Sequence, residues 1–73
     1  MLQGEKMEEM LKNRIRFARR KLGLTQQELA ERTGVSRQTI NALEKGNYSP
    51  SALLALKLCR ELDLRFEQLF FLS

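Results

Sequence analysis

Histidine and tryptophan are absent from this chain of 73 residues, and cysteine occurs once, as Cys59. With one cysteine, no disulfide within the chain can staple the fold. Without histidine, the usual zinc ligand sets are missing, and so is the commonest general base. No pair of acids stands at a clear catalytic spacing, and no Gly-rich phosphate loop is present. An enzyme is therefore not expected, and neither is a metal, a cofactor or a small-molecule ligand. Cys59 reads as a small buried thiol. No apolar run reaches about 18 residues, so no spanning helix is expected. The opening MLQGEKMEEML lacks an apolar secretory core, which points to a cytoplasmic location. Proline occurs once, and β-branched residues are few. Leu, Ala, Glu, Gln, Lys and Arg dominate instead, which is an all-α composition. The length suits one domain. So small a domain buries only about 60% of its unfolded surface, so it needs regular helix packing, self-association, or both.

The net charge of +4 is unevenly spread. Residues 1–11 hold three Glu and one Lys, so residues 12–73 carry twelve basic against six acidic groups, a net of +6. Six of the basic groups lie in KNRIRFARRK, from Lys12 to Lys21, with no acid among them. Such a run suits a polyanion such as nucleic acid. It equally suits a solvated helix face.

Periodicity and capping signals divide the chain into five helices. The first is expected from about Met10 or Lys12 to Leu22, with Ile15, Ala18 and Leu22 inward and Leu11 one turn earlier; Gly23 ends it. The second opens on the capping box Thr25-Gln26-Gln27-Glu28 and turns Leu29 and Ala30 inward. It stops near Thr33, where Gly34 supplies a left-handed residue. The third is capped by Ser36, buries Ile40 and Leu43 and ends at Gly46. Arg37, Gln38 and Asn41 then share its outer side. The fourth runs from Ser49-Pro50-Ser51 to about Leu62, and a short fifth covers about Phe66 to Phe70. Two short helices joined by a Gly-containing turn are the geometry that lets a second helix enter a major groove.

The stretches GLTQQELAERTGVSRQTINALEKG and NYSPSALLALKLCRELDLRFEQLF resemble the Cro/cI-like, xenobiotic-response-element type of helix-turn-helix transcriptional regulator. The resemblance runs from Asn13 to Phe70. It implies a compact five-helix, lambda-repressor-like domain that binds double-stranded DNA, usually as a homodimer. Residues 1–11 are then an N-terminal extension, either disordered or lengthening the first helix. Residues 12–73 form the DNA-binding domain with a C-terminal dimerisation segment.

The resemblance also implies roles. Gln26, first in the second helix, contacts phosphate or braces the recognition helix. Arg37 and Gln38 read bases, with Thr39 and Asn41 next; Arg suits guanine and Gln suits adenine. Ser36 combines capping with phosphate contact. Lys45, Asn47 and Tyr48, after the third helix, grip the backbone. Arg19 and Glu44 stand where the family often places a partly buried ion pair.

Four positions depart from the pattern. Asp63 replaces a common Gly, and Arg65 a common capping Ser. Phe17 and Leu53 occupy commonly polar places. Together with Phe66, Leu69, Phe70, Phe71 and Leu72, these residues exceed what so small a core can bury. The surplus predicts a symmetric dimer through the last helix and the C-terminal FFL, with Leu53 or Leu56 as possible additions. A repressor of a short palindromic operator is the leading function. An antitoxin of a toxin–antitoxin pair and a protein-interaction adaptor are the alternatives.

Overall fold

A computed structural model describes residues 9–73. It contains five helices and two short strands: β1 (Leu11–Asn13), α1 (Ile15–Lys21), α2 (Gln26–Thr33), α3 (Arg37–Glu44), α4 (Ala52–Leu62), α5 (Phe66–Leu69) and β2 (Phe70–Leu72). α4 packs against α1, α2 and α5, while α2 and α3 pack against each other. β1 and β2 pair antiparallel, with Leu11 opposite Leu72, Lys12 opposite Phe71 and Asn13 opposite Phe70. The pairing continues one step further, where Met10 and Ser73 exchange both backbone hydrogen bonds at 2.9 and 3.0 Å.

The helix boundaries follow from side-chain chemistry. Thr25 Oγ1 accepts from the Glu28 amide, and Glu28 Oε1 accepts from the Thr25 amide at 2.8 Å, closing the capping box. Ser36 and Ser51 cap α3 and α4 by accepting from the Thr39 and Leu54 amides. Gly34 ends α2 at φ 76°, a conformation that disfavours any side chain. Asp63 ends α4 in the same left-handed region, at φ 57°. Asp tolerates that region better than most residues, which is why the missing glycine does not abolish the turn. Arg65 has no side-chain acceptor to offer α5. Instead, Gln68 Oε1 accepts from the Arg65 amide at 2.8 Å.

The core is one cluster. Ile15, Leu29, Ile40, Leu43, Leu58 and Leu69 are fully hidden, surrounded by Ala18, Leu24, Ala30, Leu54, Ala55, Cys59, Leu62 and Phe70. Each fully buried aliphatic side chain stabilises the fold by about 1.5–3 kcal/mol relative to an exposed one. Val35 packs against this cluster from the turn between α2 and α3. Burial pushes the Cys59 thiol above its ordinary pKa, and the Glu67 charge adds to the effect, as suits an unreactive core residue.

Three expectations are corrected. First, α1 does not begin at Met10 or Lys12: residues 11–13 are a strand, so Leu11 reaches the core from β1. The cause lies far along the chain, in the backbone partners that Phe70–Leu72 supply. The described residues therefore fold as five helices plus a ribbon. Residues 1–8 of the expected N-terminal extension lie outside the described residues. Second, Leu22 is half exposed, because it is the C-cap residue at the end of α1, past the stretch whose inner face the core covers. Third, Leu69 and Phe70 are not surplus: they are 0% and 3% exposed within this chain. Strand alternation turns Phe70 inward and Phe71 to the other side, while Leu72 stays exposed at the ribbon's end.

Candidate nucleic-acid interface

The outer face of α3 is held from below and from the side. Ile40 and Leu43 sink completely into the core, one turn apart. Arg37 and Gln38 are exposed, and Thr39 and Asn41 are half-buried beside them. Ser36 is exposed at the cap, with its hydroxyl 3.0 Å from that of Thr39. Lys45, Asn47 and Tyr48 follow as an exposed loop, which Gly46 turns at φ 78°.

The lateral brace centres on Glu44, whose side chain is fully hidden. Its Oε2 accepts from Arg19 Nε at 2.6 Å, and its Oε1 accepts from Arg19 Nη2 at 3.1 Å. This two-point pair joins α1 to the end of α3, and Arg19 Nη1 also donates to the Leu24 carbonyl at 2.9 Å. Gln26 Nε2 uses its two hydrogens on Glu44 Oε1 and Asn41 Oδ1, at 3.1 and 3.2 Å. The first residue of α2 thus holds two residues of α3. Arg16 Nε adds a longer contact to Glu44 Oε1 at 3.3 Å. Burial pushes the Glu44 carboxyl up, but hydrogen bonds from Arg19, Gln26 and Arg16 outweigh it and leave its pKa below the ordinary value.

The scaffold, the turn and the outward side chains have the form of a helix-turn-helix, and a helix-turn-helix family profile matches residues 15–69. The chain belongs to the XRE-type helix-turn-helix family of transcriptional regulators. It is 45% identical over 63 residues to the uncharacterised HTH-type transcriptional regulator YgzD of Bacillus subtilis, covering 86% of this chain and 96% of that protein. It is 58% identical over 60 residues to an uncharacterised HTH-type transcriptional regulator of Methanothermobacter thermautotrophicus, covering 81% and 87%. Its fold superposes with a TM-score of 0.70 on the restriction-modification controller protein C.AhdI of Aeromonas hydrophila. That match has 33% identity and covers 75% of this chain and 83% of the other.

In this XRE-type regulator the basic run from Lys12 to Lys21 divides by job. Arg19 is buried in the ion pair. Arg14 lies 4.2 Å from the centroid of the Phe71 ring and donates to the Gln68 carbonyl at 3.2 Å, fastening α1 to the ribbon. Arg16 and Arg20 are exposed and line one cleft with Gly23, Thr25, Gln26 and Arg37. Their spacing of four residues on a helix was a signal for a shared face. Asn13 was missed altogether. Its Oδ1 accepts from the Ile15 amide at 3.0 Å, starting α1, and its Nδ2 donates to the Leu43 carbonyl at 2.9 Å. An Asn two residues before a helix is a capping signal that the apolar periodicity of Leu11 obscured. Among the described residues no helix is long and apolar enough to cross a membrane.

Proposed function

We propose that this XRE-type regulator is a cytoplasmic repressor that binds a short palindromic operator as a homodimer. The observation that carries the reading is the combination at α3: a fully buried anchor at Ile40 and Leu43 beneath the exposed Arg37 and Gln38. Arg37 and Gln38 read base edges, with Thr39 and Asn41 beside them. Since Asn41 Oδ1 already accepts from Gln26, Asn41 offers DNA mainly its Nδ2 hydrogens, which suit acceptors such as guanine N7 or thymine O4. Gln26, Ser36, Lys45, Asn47 and Tyr48 serve the backbone, with Gln26 chiefly bracing.

The homodimer reading draws support from apolar side chains left outside the core. Phe66 is 49% exposed and Leu72 63% exposed, and Phe71 is half-buried on the ribbon. Leu69 and Phe70 support this surface from within. A two-fold dimer sets two recognition helices about 34–36 Å apart, one turn of DNA. Occupying an operator would exclude other proteins from it, which is repression by occlusion.

In vitro selection from random duplexes tests the whole reading. The expected result is a two-fold symmetric consensus whose insertion into a promoter lowers transcription when the protein is present. If no sequence is enriched, the reading is wrong.

A further inference from the structure

We infer that Glu44 sets the base preference at Asn41, by fixing through Gln26 which end of the Asn41 amide faces DNA. The inference rests on the DNA-binding reading above and goes beyond bracing: a side chain wholly inside the protein determines specificity. An asparagine amide has an acceptor end and a donor end of nearly the same shape. A free amide can turn either end to a base. The Asn41 amide is not free, because Gln26 Nε2 donates to its Oδ1 at 3.2 Å. The same nitrogen donates to Glu44 Oε1 at 3.1 Å.

The polarity of this chain of contacts starts at Glu44. Its carboxylate is fully hidden and held ionised by the two-point pair with Arg19, and an ionised carboxylate only accepts. Gln26 must therefore point Nε2 at it, since the opposite orientation would set Oε1 against a negative oxygen. Nε2 carries two hydrogens, and the second needs an acceptor. Asn41 can meet it only with Oδ1, which leaves Nδ2 on the side away from Gln26. Position 41 is thereby made a donor. The usual pairing of asparagine with adenine uses both ends of the amide, against N6 and N7. With Oδ1 committed to Gln26, adenine loses that advantage. The favoured base is one whose edge offers acceptors alone: guanine through O6 and N7, or thymine through O4. Cytosine, whose edge offers a donor, is disfavoured.

The test uses the full chain and duplexes that carry the selected operator with each base pair in turn at one position. Asn41→Ala identifies that position, as the one where the preference disappears. The wild type is expected to favour guanine or thymine over adenine there by about tenfold, within the range for a specific base contact. Q26M removes both donors, leaves Arg19 on Glu44 and is expected to abolish that ratio. Q26K, which can only donate, is expected to keep the ratio whatever its effect on overall affinity. E44Q can turn either end of its amide to Gln26 and is expected to lose the ratio, measured at a temperature where circular dichroism shows it folded. A merely structural role for Glu44 would weaken all duplexes alike and leave the ratio intact. A wild-type ratio in Q26M or in E44Q, or a ratio lost in Q26K, overturns the inference and leaves the DNA-binding reading standing. So does an Asn41→Ala variant whose preferences are unchanged at every position. Failure of the wild type to bind any duplex overturns both.

Discussion

Arg19 and Glu44 meet at two points, Nε to Oε2 at 2.6 Å and Nη2 to Oε1 at 3.1 Å, with both side chains shielded from water. One pair of residues thereby sets the distance between α1 and the far end of the recognition helix. Arg19→Ala leaves a carboxylate buried beside only Gln26 and Arg16. The expected loss is about 3–5 kcal/mol, measured by urea unfolding. A loss below about 1 kcal/mol would show that the pair is energetically idle, as exposed pairs usually are.

The same carboxylate makes stability depend on pH. Its folded pKa lies below the ordinary 4.5. A depressed carboxylate stabilises fully above its unfolded value and loses that contribution as pH falls through the folded one. Unfolding free energy should therefore hold from neutrality to about pH 5 and decline below it. Glu44→Gln should be less stable at neutral pH, because Arg19 loses its counter-charge, and should show a shallower decline in acid. An unchanged acid slope in that variant would place the effect on other groups, such as Glu28, whose backbone hydrogen bond at Thr25 also lowers its pKa.

Base readers and backbone grips separate by how they fail. Arg37→Ala and Gln38→Ala are each expected to cost about 1–3 kcal/mol on the selected operator and far less on random DNA. Lys45→Ala should weaken both duplexes alike and reduce the salt slope. Competition binding distinguishes the two patterns. Equal losses on both duplexes for Arg37→Ala would reassign it to the backbone.

Sequence and structure agree best where the determining contacts are local. Thr25 with Glu28, Ser36 with Thr39, and Gly34 after Thr33 all act within a few residues, so α2, the turn and α3 could be read directly. The ribbon could not. LKN has no strand character of its own, and its partner FFL reads as surplus apolar surface until the two are brought together. For the same reason Phe70 looked free when it is core. On α3, residue types and helix spacing showed which side chains point outward. The Glu44 network was only partly legible: the resemblance suggested Arg19, but Arg16 joins it through tertiary proximity alone.

The ribbon's burial pattern also refines the test of dimerisation. Removing the C-terminal residues would strip Phe70 from the core and β1 of its partner, so it would unfold as much as dissociate. Phe66→Glu with Leu72→Glu changes only exposed side chains. It should yield a helical monomer in sedimentation with greatly weakened operator binding. A double variant that still sediments as a dimer would move the interface elsewhere, to Leu53 and Leu56 for instance.

Asp63 offers a backbone test. At φ 57° a glycine relieves the strain, while alanine keeps it and loses the local polar chemistry that suits Asp there. The expected order of stability is Asp63→Gly at or above wild type, and Asp63→Ala below it by about 1 kcal/mol, read from thermal melts. An alanine variant as stable as the glycine variant would mean that the turn readjusts.

The pairing of Met10 with Ser73 turns the described chain into a near-closed ring. Its two strands are about sixty residues apart in sequence, so their meeting carries the largest loop-closure entropy in the molecule, whereas the α2–α3 corner closes over about ten. The helices can therefore assemble first and the ring shut last. Ribbon amides should accordingly exchange with solvent sooner than those of α4, since the last seam to close is the first to open.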